Sequence, residues 1–218
     1  MSSWSLLANK SLTHNPCRRR LKLALDFLDM EHYIHRYSKK GMNPFRSISE
    51  LHDSEIPVFM KRHFPNHRWF HANPEQRIRN RRKVEKWLYE EFVKIGGKPE
   101  TTYPCYFTLG ASPFLSKFES FEGETVEIKI PLKNFSSNEI SFTYPDSFFS
   151  AWLSKNKNHP LFDKQLSGRV FTIEKLNELV SQGAIPSDQS IDIKYYEYQF
   201  YIEAQVWNYG KLFSNNEV

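Results

Sequence analysis

Residues 199–207 read QFYIEAQVW, and the alternation within them decides how the chain folds. Side chains on a strand point to opposite faces in turn, so Phe200, Ile202, Ala204 and Val206 share one face and Tyr201, Glu203, Gln205 and Trp207 the other. The first set is wholly apolar and has to be buried. The second places a carboxylate and an amide between two large aromatic rings on a strand otherwise built for a core. That face reads as the floor of a cleft, although an edge strand with a half-covered outer face gives the same pattern. On this assignment Glu203→Ala leaves the fold nearly intact while Ile202→Asp unfolds it, because a lone carboxylate in a core costs as much as many domains have in total.

Working outward from this strand, the second half of the chain is rich in similar segments. Residues 125–132 alternate, with Val126, Ile128, Ile130 and Leu132 inward and Glu127 and Lys129 outward. Residues 103–109, 140–144 and 169–172 are further short strands. The first half is helical. The clearest helix spans 73–95, with Asn73 as N-cap, Pro74 in the first turn, Gln76 at capping-box spacing and the pair Gly96, Gly97 as its stop. Its apolar stripe is Ile78, Val84, Leu88, Tyr89, Phe92 and Ile95, with Arg77, Arg81 and Glu85 on the same side. Shorter helices are expected over 18–28, within 47–64, at 148–153 and over 173–182. No regular βαβ alternation appears, so the fold class is α+β, with a helix-rich first half and a mixed or largely antiparallel sheet formed mainly by the second half. The expected organisation is a variable extension over 1–30 with a short basic helix, a single domain over 31–210, and a tail over 211–218.

Composition narrows the setting. The chain has 218 residues, 16% of them aromatic, which is enough ring surface to offset the entropy of ordering a chain this long. A net charge of +5 permits an anionic partner, whether nucleotide, nucleic acid or acidic surface, without requiring one. The two cysteines, Cys17 and Cys105, have no CxxC spacing and read as free thiols in a reducing compartment. No run approaches the length of a membrane helix and no secretory pattern opens the chain, so a cytoplasmic location is expected, with no membrane partner.

Three groups of residues could carry chemistry besides Glu203. Residues 32–38, HYIHRYS, place Tyr33, His35 and Tyr37 on one strand face and His32, Ile34 and Arg36 on the other. His35 and Arg36 are candidates to hold a phosphate or ribose, since a guanidinium fork matches phosphate oxygens. Arg81 stands four residues before Glu85 on the long helix, and either pairs with it or turns into a site. His63, His67 and His71 recur every fourth residue, but Pro65 keeps the first two off one regular helix and no further ligand lies nearby, so no metal is expected. P-loop, GxGxxG, HExxH and GxSxG motifs are absent, which removes support for the usual nucleotide kinases, dinucleotide dehydrogenases, zincins and α/β-hydrolases.

The phrases HRYSKKGMN, WLYEEFVKIGGKPE followed by YFTLG, ISFTYPDS and YIEAQVW together resemble a bacterial group-specific protein family of unknown function. That likeness runs from His32 to Trp207 and supplies no activity. The order of pieces also resembles the ADP-ribosyltransferase fold, in which an early strand bears Arg or His, a middle strand a small hydroxyl or aromatic residue, and a late strand a catalytic Glu. The resemblance implies His35 or Arg36 in the first role, residues between Tyr106 and Thr108 in the second, and Glu203 in the third. NAD would then be a substrate rather than a resident cofactor, with Tyr201 or Trp207 stacked on nicotinamide. In that family the catalytic Glu comes two residues after a Gln or Glu; here the order is Glu203-Ala204-Gln205. If Gln205 takes the catalytic place, a nucleotide is bound but not cleaved. The alternative is a non-enzymatic module that binds a protein or nucleic acid.

Overall fold

The computed structural model describes residues 32–65, 73–112, 115–116, 124–185, 194–195, 198–199 and 201–213. The expected 18–28 helix with its arginines, Cys17, His67, His71 and Phe200 lie outside them.

Seven strands occur among these residues: β1 (Tyr33–Lys39), β2 (Cys105–Leu109), β3 (Thr125–Pro131), β4 (Ile140–Thr143), β5 (Lys194–Tyr195), β6 (Tyr198–Gln199) and β7 (Glu203–Val206). Strands β5 and β6 form a two-stranded ribbon, and the other five form one sheet in the order β3-β1-β2-β7-β4. Every pairing in it is antiparallel. The helices are α1 (Ile56–His63), α2 (Pro74–Lys94), α3 (Ser147–Lys155), α4 (Ile173–Ser181) and the short α5 (Gly210–Phe213). With α2 dominating the first half and most strands in the second, the chain is an α+β protein. No described helix is long and apolar enough to cross a membrane.

Register explains the main core. Ile34 faces Leu109 on one side and Ile130 on the other, and Phe107, Ala204 and Phe142 form the next row. These side chains share one face of the sheet, where Leu176, Leu179 and Val180 of α4 join them, together with Leu212 of α5. Leu212 is fully buried, so folded structure continues past residue 210.

Two expectations about the ends of elements fail. Val126 is exposed and Ile128 only half-buried, since β3 is an edge strand with a neighbour on one side alone. On α2, Tyr89 and Ile95 are partly exposed while Glu85 is fully buried, so the inward stripe is Ile78, Glu85, Leu88 and Phe92. Its C-terminal part covers the second face of the sheet, where Leu88 and Phe92 pack with Trp207, while Ile78 packs with Ile56 and Met60 of α1. The edge-strand reading of residues 199–207 therefore does not hold. Strand β7 is paired on both sides, and its polar face lies buried rather than forming an open cleft.

The ends of α2 follow local signals. The Asn73 side chain accepts from the Gln76 N–H at 3.0 Å, which satisfies one of the free donors of the first turn. At the other end Gly96 has φ +98°, the Gly97 N–H returns to the Phe92 carbonyl, and the Gly96 N–H bonds the Val93 carbonyl. This is a Schellman closure, and it needs a residue without Cβ in the left-handed position. Arg82 ties the same helix to the loop before α1: its Nε donates to the Ser49 carbonyl at 3.0 Å, and its terminal nitrogens bond the Leu51 carbonyl and Asp53.

A Cβ on Gly97 would stand 2.5 Å from the Phe92 ring, which is itself fully buried against Trp207. Gly97→Ala is therefore expected to lower stability by about 1–3 kcal/mol, the usual cost of overpacking, read as a shift of the urea midpoint without a change of slope. An Ile202→Asp variant should not fold at all.

Candidate functional site

The buried face of the sheet beneath α2 is polar. Across it, His35 of β1 stands opposite Thr108 of β2, Thr108 opposite Glu203 of β7, and Glu203 opposite Thr143 of β4. His35, Thr108 and Glu203 thus form a single row on neighbouring strands of one face, with His35 and Glu203 about 10 Å apart at the strand spacing of a sheet. Tyr106, Gln205 and Ser141 make the row behind it.

Glu203 is 8% exposed. Its Oε2 accepts from the Ser147 N–H at 2.9 Å and from the Gln205 amide at 3.1 Å. Ser147 opens α3, and Asp146 before it caps that helix by accepting from the Phe148 and Phe149 N–H groups. Two carboxyl groups therefore meet at one helix N-terminus. Burial, and after it repulsion from Asp146, pushes Glu203 up to about 7, against the opposing pull of the Ser147 and Gln205 hydrogen bonds. Burial likewise raises Asp146. A carboxyl that exchanges its proton near neutral pH is suited to acid–base work.

Arg81 and Glu85 of α2 close over the Tyr106 ring. Arg81 Nε donates to Glu85 Oε1 at 2.9 Å, the Tyr106 hydroxyl donates to the same oxygen at 3.2 Å, and the guanidinium lies 4.4 Å from the centre of the Tyr106 ring. Glu85 Oε2 is buried without a hydrogen bond among the described residues. The Arg81 side chain is 26% exposed, and its terminal nitrogens make no hydrogen bond among the described residues. Glu203 contributes to the field at both Arg81 and Tyr106, which places the two carboxylate centres in one electrostatic cluster. Arg81 is thus paired with Glu85, and part of its side chain stays exposed.

The remaining expected residues separate. Arg36 lies on the opposite face, with Ile34; its Nη1 donates to the Tyr106 carbonyl at 2.7 Å and it sits over the Phe107 ring, so it does not join Glu203. Gln205 is fully buried, accepting from Ser141 at 2.9 Å and donating to Thr143 at 3.0 Å as well as to Glu203, so its amide is committed to the fold. Trp207 is fully buried too, stacked on Phe92 with its Nε1–H donated to Ser141 at 2.9 Å, and has no face to offer a nicotinamide. Tyr201 is half-buried immediately before β7. His35 bonds Glu127 through Nδ1 at 2.8 Å, and the hydrogen bond from His35 is the main cause of the lowered Glu127 pKa.

Asp146, Ser147, Ser141 and Thr143 join the site without having stood out in the sequence. The Asp-Ser pair after the ISFTYP strand was available as a capping signal; the others are placed by pairing between distant strands, which leaves no local mark. A hollow of about 200 Å3, lined by Arg46, Phe59 and His63 among others, lies between the 41–51 loop and α1 and contains none of the site residues. Among the described residues no group of three His, Cys, Asp or Glu side chains could hold a metal ion. Cys105 is a buried thiol whose pKa burial pushes up. Comparison of the chain with protein-family models, with curated proteins and with solved structures finds no match.

The raised Glu203 pKa has a defined sign for stability. Folding takes up a proton between about pH 4.5, the ordinary value, and about pH 7, so this group's contribution is full below that window and is lost as pH rises through it. Glu203→Gln keeps an oxygen to accept from Ser147 and Gln205 and cannot ionise. It should match the wild type in thermal unfolding near about pH 5 and exceed it near about pH 8, by on the order of 1–3 kcal/mol. Glu203→Ala, which strands the Ser147 N–H and leaves a hole, should destabilise the fold at both, contrary to the neutral outcome expected from an open face.

Proposed function

We propose that this chain is a nucleotide-handling domain of the ADP-ribosyltransferase type that takes NAD as its substrate, with Glu203 as the catalytic carboxylate. The observation that carries the proposal is the row on one sheet face: a basic ring on an early strand, a hydroxyl on a middle strand and a carboxyl on a late strand, contributed by His35, Thr108 and Glu203 in register. Its order matches the order of roles that the fold's catalytic residues have along the chain. The choice between Glu203 and Gln205 favours Glu203, because the Gln205 amide is spent on Ser141 and Thr143.

In this reading NAD reaches Glu203 from the small part of it that remains exposed. The ionised carboxylate accepts a hydrogen bond from the ribose 2′-hydroxyl and stabilises positive charge at the anomeric carbon as the bond to nicotinamide breaks. Nicotinamide leaves with the bonding pair, and an acceptor hydroxyl or water adds at that carbon and loses its proton. Arg81, held by Glu85 and Tyr106, offers its outer edge to the pyrophosphate. His35, oriented by Glu127, is the residue this reading assigns to the ribose.

The test is nicotinamide release and ADP-ribose transfer from labelled NAD by the wild type, Glu203→Gln and Arg81→Lys, with the melting shift by NAD recorded for each. Turnover should rise with pH through about 7 as Glu203 ionises, vanish in Glu203→Gln without loss of the folded state, and fall in Arg81→Lys through weaker binding. A melting shift without turnover in the wild type would make the domain a nucleotide binder only. Neither signal would overturn the proposal and leave a non-enzymatic module.

A further inference from the structure

Helix α3, which meets Glu203 at its N-terminus, carries a second group of residues on its exposed side. Phe148, Trp152 and Lys155 stand at the i, i+4 and i+7 positions and so share one side of the helix. Phe148 is 39% exposed and Trp152 45% exposed, although large rings at helical spacing ordinarily mark a buried stripe. The Trp152 ring is not loose. It stacks nearly parallel on Phe149, with centroids 5.6 Å apart and planes at 10°, and meets the His159 ring edge-on at 5.0 Å. The turn that brings His159 there is closed by the Asn156 side chain, which donates to the Trp152 carbonyl at 2.7 Å, and by the His159 N–H, which bonds the Asn156 carbonyl.

The charge around this ring is one-sided. Lys155 ends α3, Lys157 lies in the turn, and Lys164 follows; all three are exposed. None makes an ion pair among the described residues, and the three stand around one exposed aromatic ring. The acid in the segment, Asp163, is engaged in its own turn, where it accepts from the Gln165 and Leu166 N–H groups. On the outer side of α2, by contrast, Arg79 faces Asp53 and Lys86 faces Glu90.

We infer that the exposed side of α3 and the turn after it bind single-stranded nucleic acid, with Trp152 stacking a base and Lys155 and Lys157 holding the flanking phosphates. A fixed aromatic ring framed by unpaired cations matches a strand that alternates π-faces with negative charge. The ring is already oriented by Phe149 and His159, so binding costs little further side-chain ordering. A base reaches it only when unpaired, which selects single strands over duplex.

The test uses the full chain and a fluorescein-labelled oligothymidylate of about fifteen nucleotides, a length at the upper end of one stacking platform. Anisotropy is measured across a range of salt, with a duplex of equal length as control. The wild type should bind the single strand in preference to the duplex and weaken with salt. Trp152→Ala should lose about tenfold or more in affinity, with Trp152→Phe retaining most of it. Lys155→Glu with Lys157→Glu should weaken binding and flatten the salt dependence by about 0.7 for each phosphate that the pair no longer neutralises. Circular dichroism establishes that each variant is folded; if Trp152→Ala is not, Trp152→Phe and the lysine pair carry the test. No binding by the wild type, equal binding of duplex, or affinity unchanged in folded Trp152 and lysine variants would each overturn the inference. Glu203→Gln should bind as the wild type does, so failure here is separate from failure of the NAD reading.

Discussion

Everything on the buried polar face depends on the side-chain amide of Gln205. A strand paired on both sides and covered on both faces has no water to satisfy a polar side chain, so each group must find a partner in place. Gln205 does this for two strands at once. Its oxygen takes the Ser141 hydroxyl hydrogen and its nitrogen serves Thr143 and the Glu203 carboxylate. Ser141 in turn accepts from the Trp207 ring, which anchors the packing of α2 through Phe92. One amide therefore links the register of β4 and β7, the seating of the long helix and the position of the acidic group.

That network also explains why Glu203 differs from the other acids. Glu127 and Glu178 are lowered by hydrogen bonds from His35 and Lys175 respectively and keep partial contact with water. Glu203 has hydrogen-bond donors but makes no ion pair among the described residues, and it shares the start of α3 with Asp146. The helix N-terminus offers favourable N–H groups, yet two carboxyls compete for them in a region that excludes solvent. The result is a group whose charge is held near balance rather than fixed.

Local signals made some of this readable in the sequence and left the rest dark. The long helix announces itself because Asn73, Pro74, Gly96 and Gly97 act within one turn of where they stand. Alternation along residues 199–207 correctly separates Ile202, Ala204 and Val206 from Glu203, Gln205 and Trp207. It cannot say that α2 covers the second set, since that depends on contacts with residues far away in the chain. The same holds for His35 and Arg36: alternation puts them on opposite faces, but only the register through Thr108 shows which of them shares a face with Glu203. Glu85 was legible as a partner of Arg81 and illegible as a buried group, because a charged residue on an apolar stripe gives no sign of a tyrosine waiting opposite it.

The place of β7 in the sheet has a consequence for how the protein is made. It lies between β2 and β4, yet both neighbours precede it in the chain. While synthesis proceeds, β2 and β4 must each wait with an unpaired edge and a gap between them, and the longest helix has no Trp207 to settle on. Long-range closure of this kind is slow, and waiting edges are templates for unwanted pairing with other chains. Among the described strands β7 is the last in the chain and the one that seals the sheet, so the nascent chain stays vulnerable until residues 203–206 have emerged.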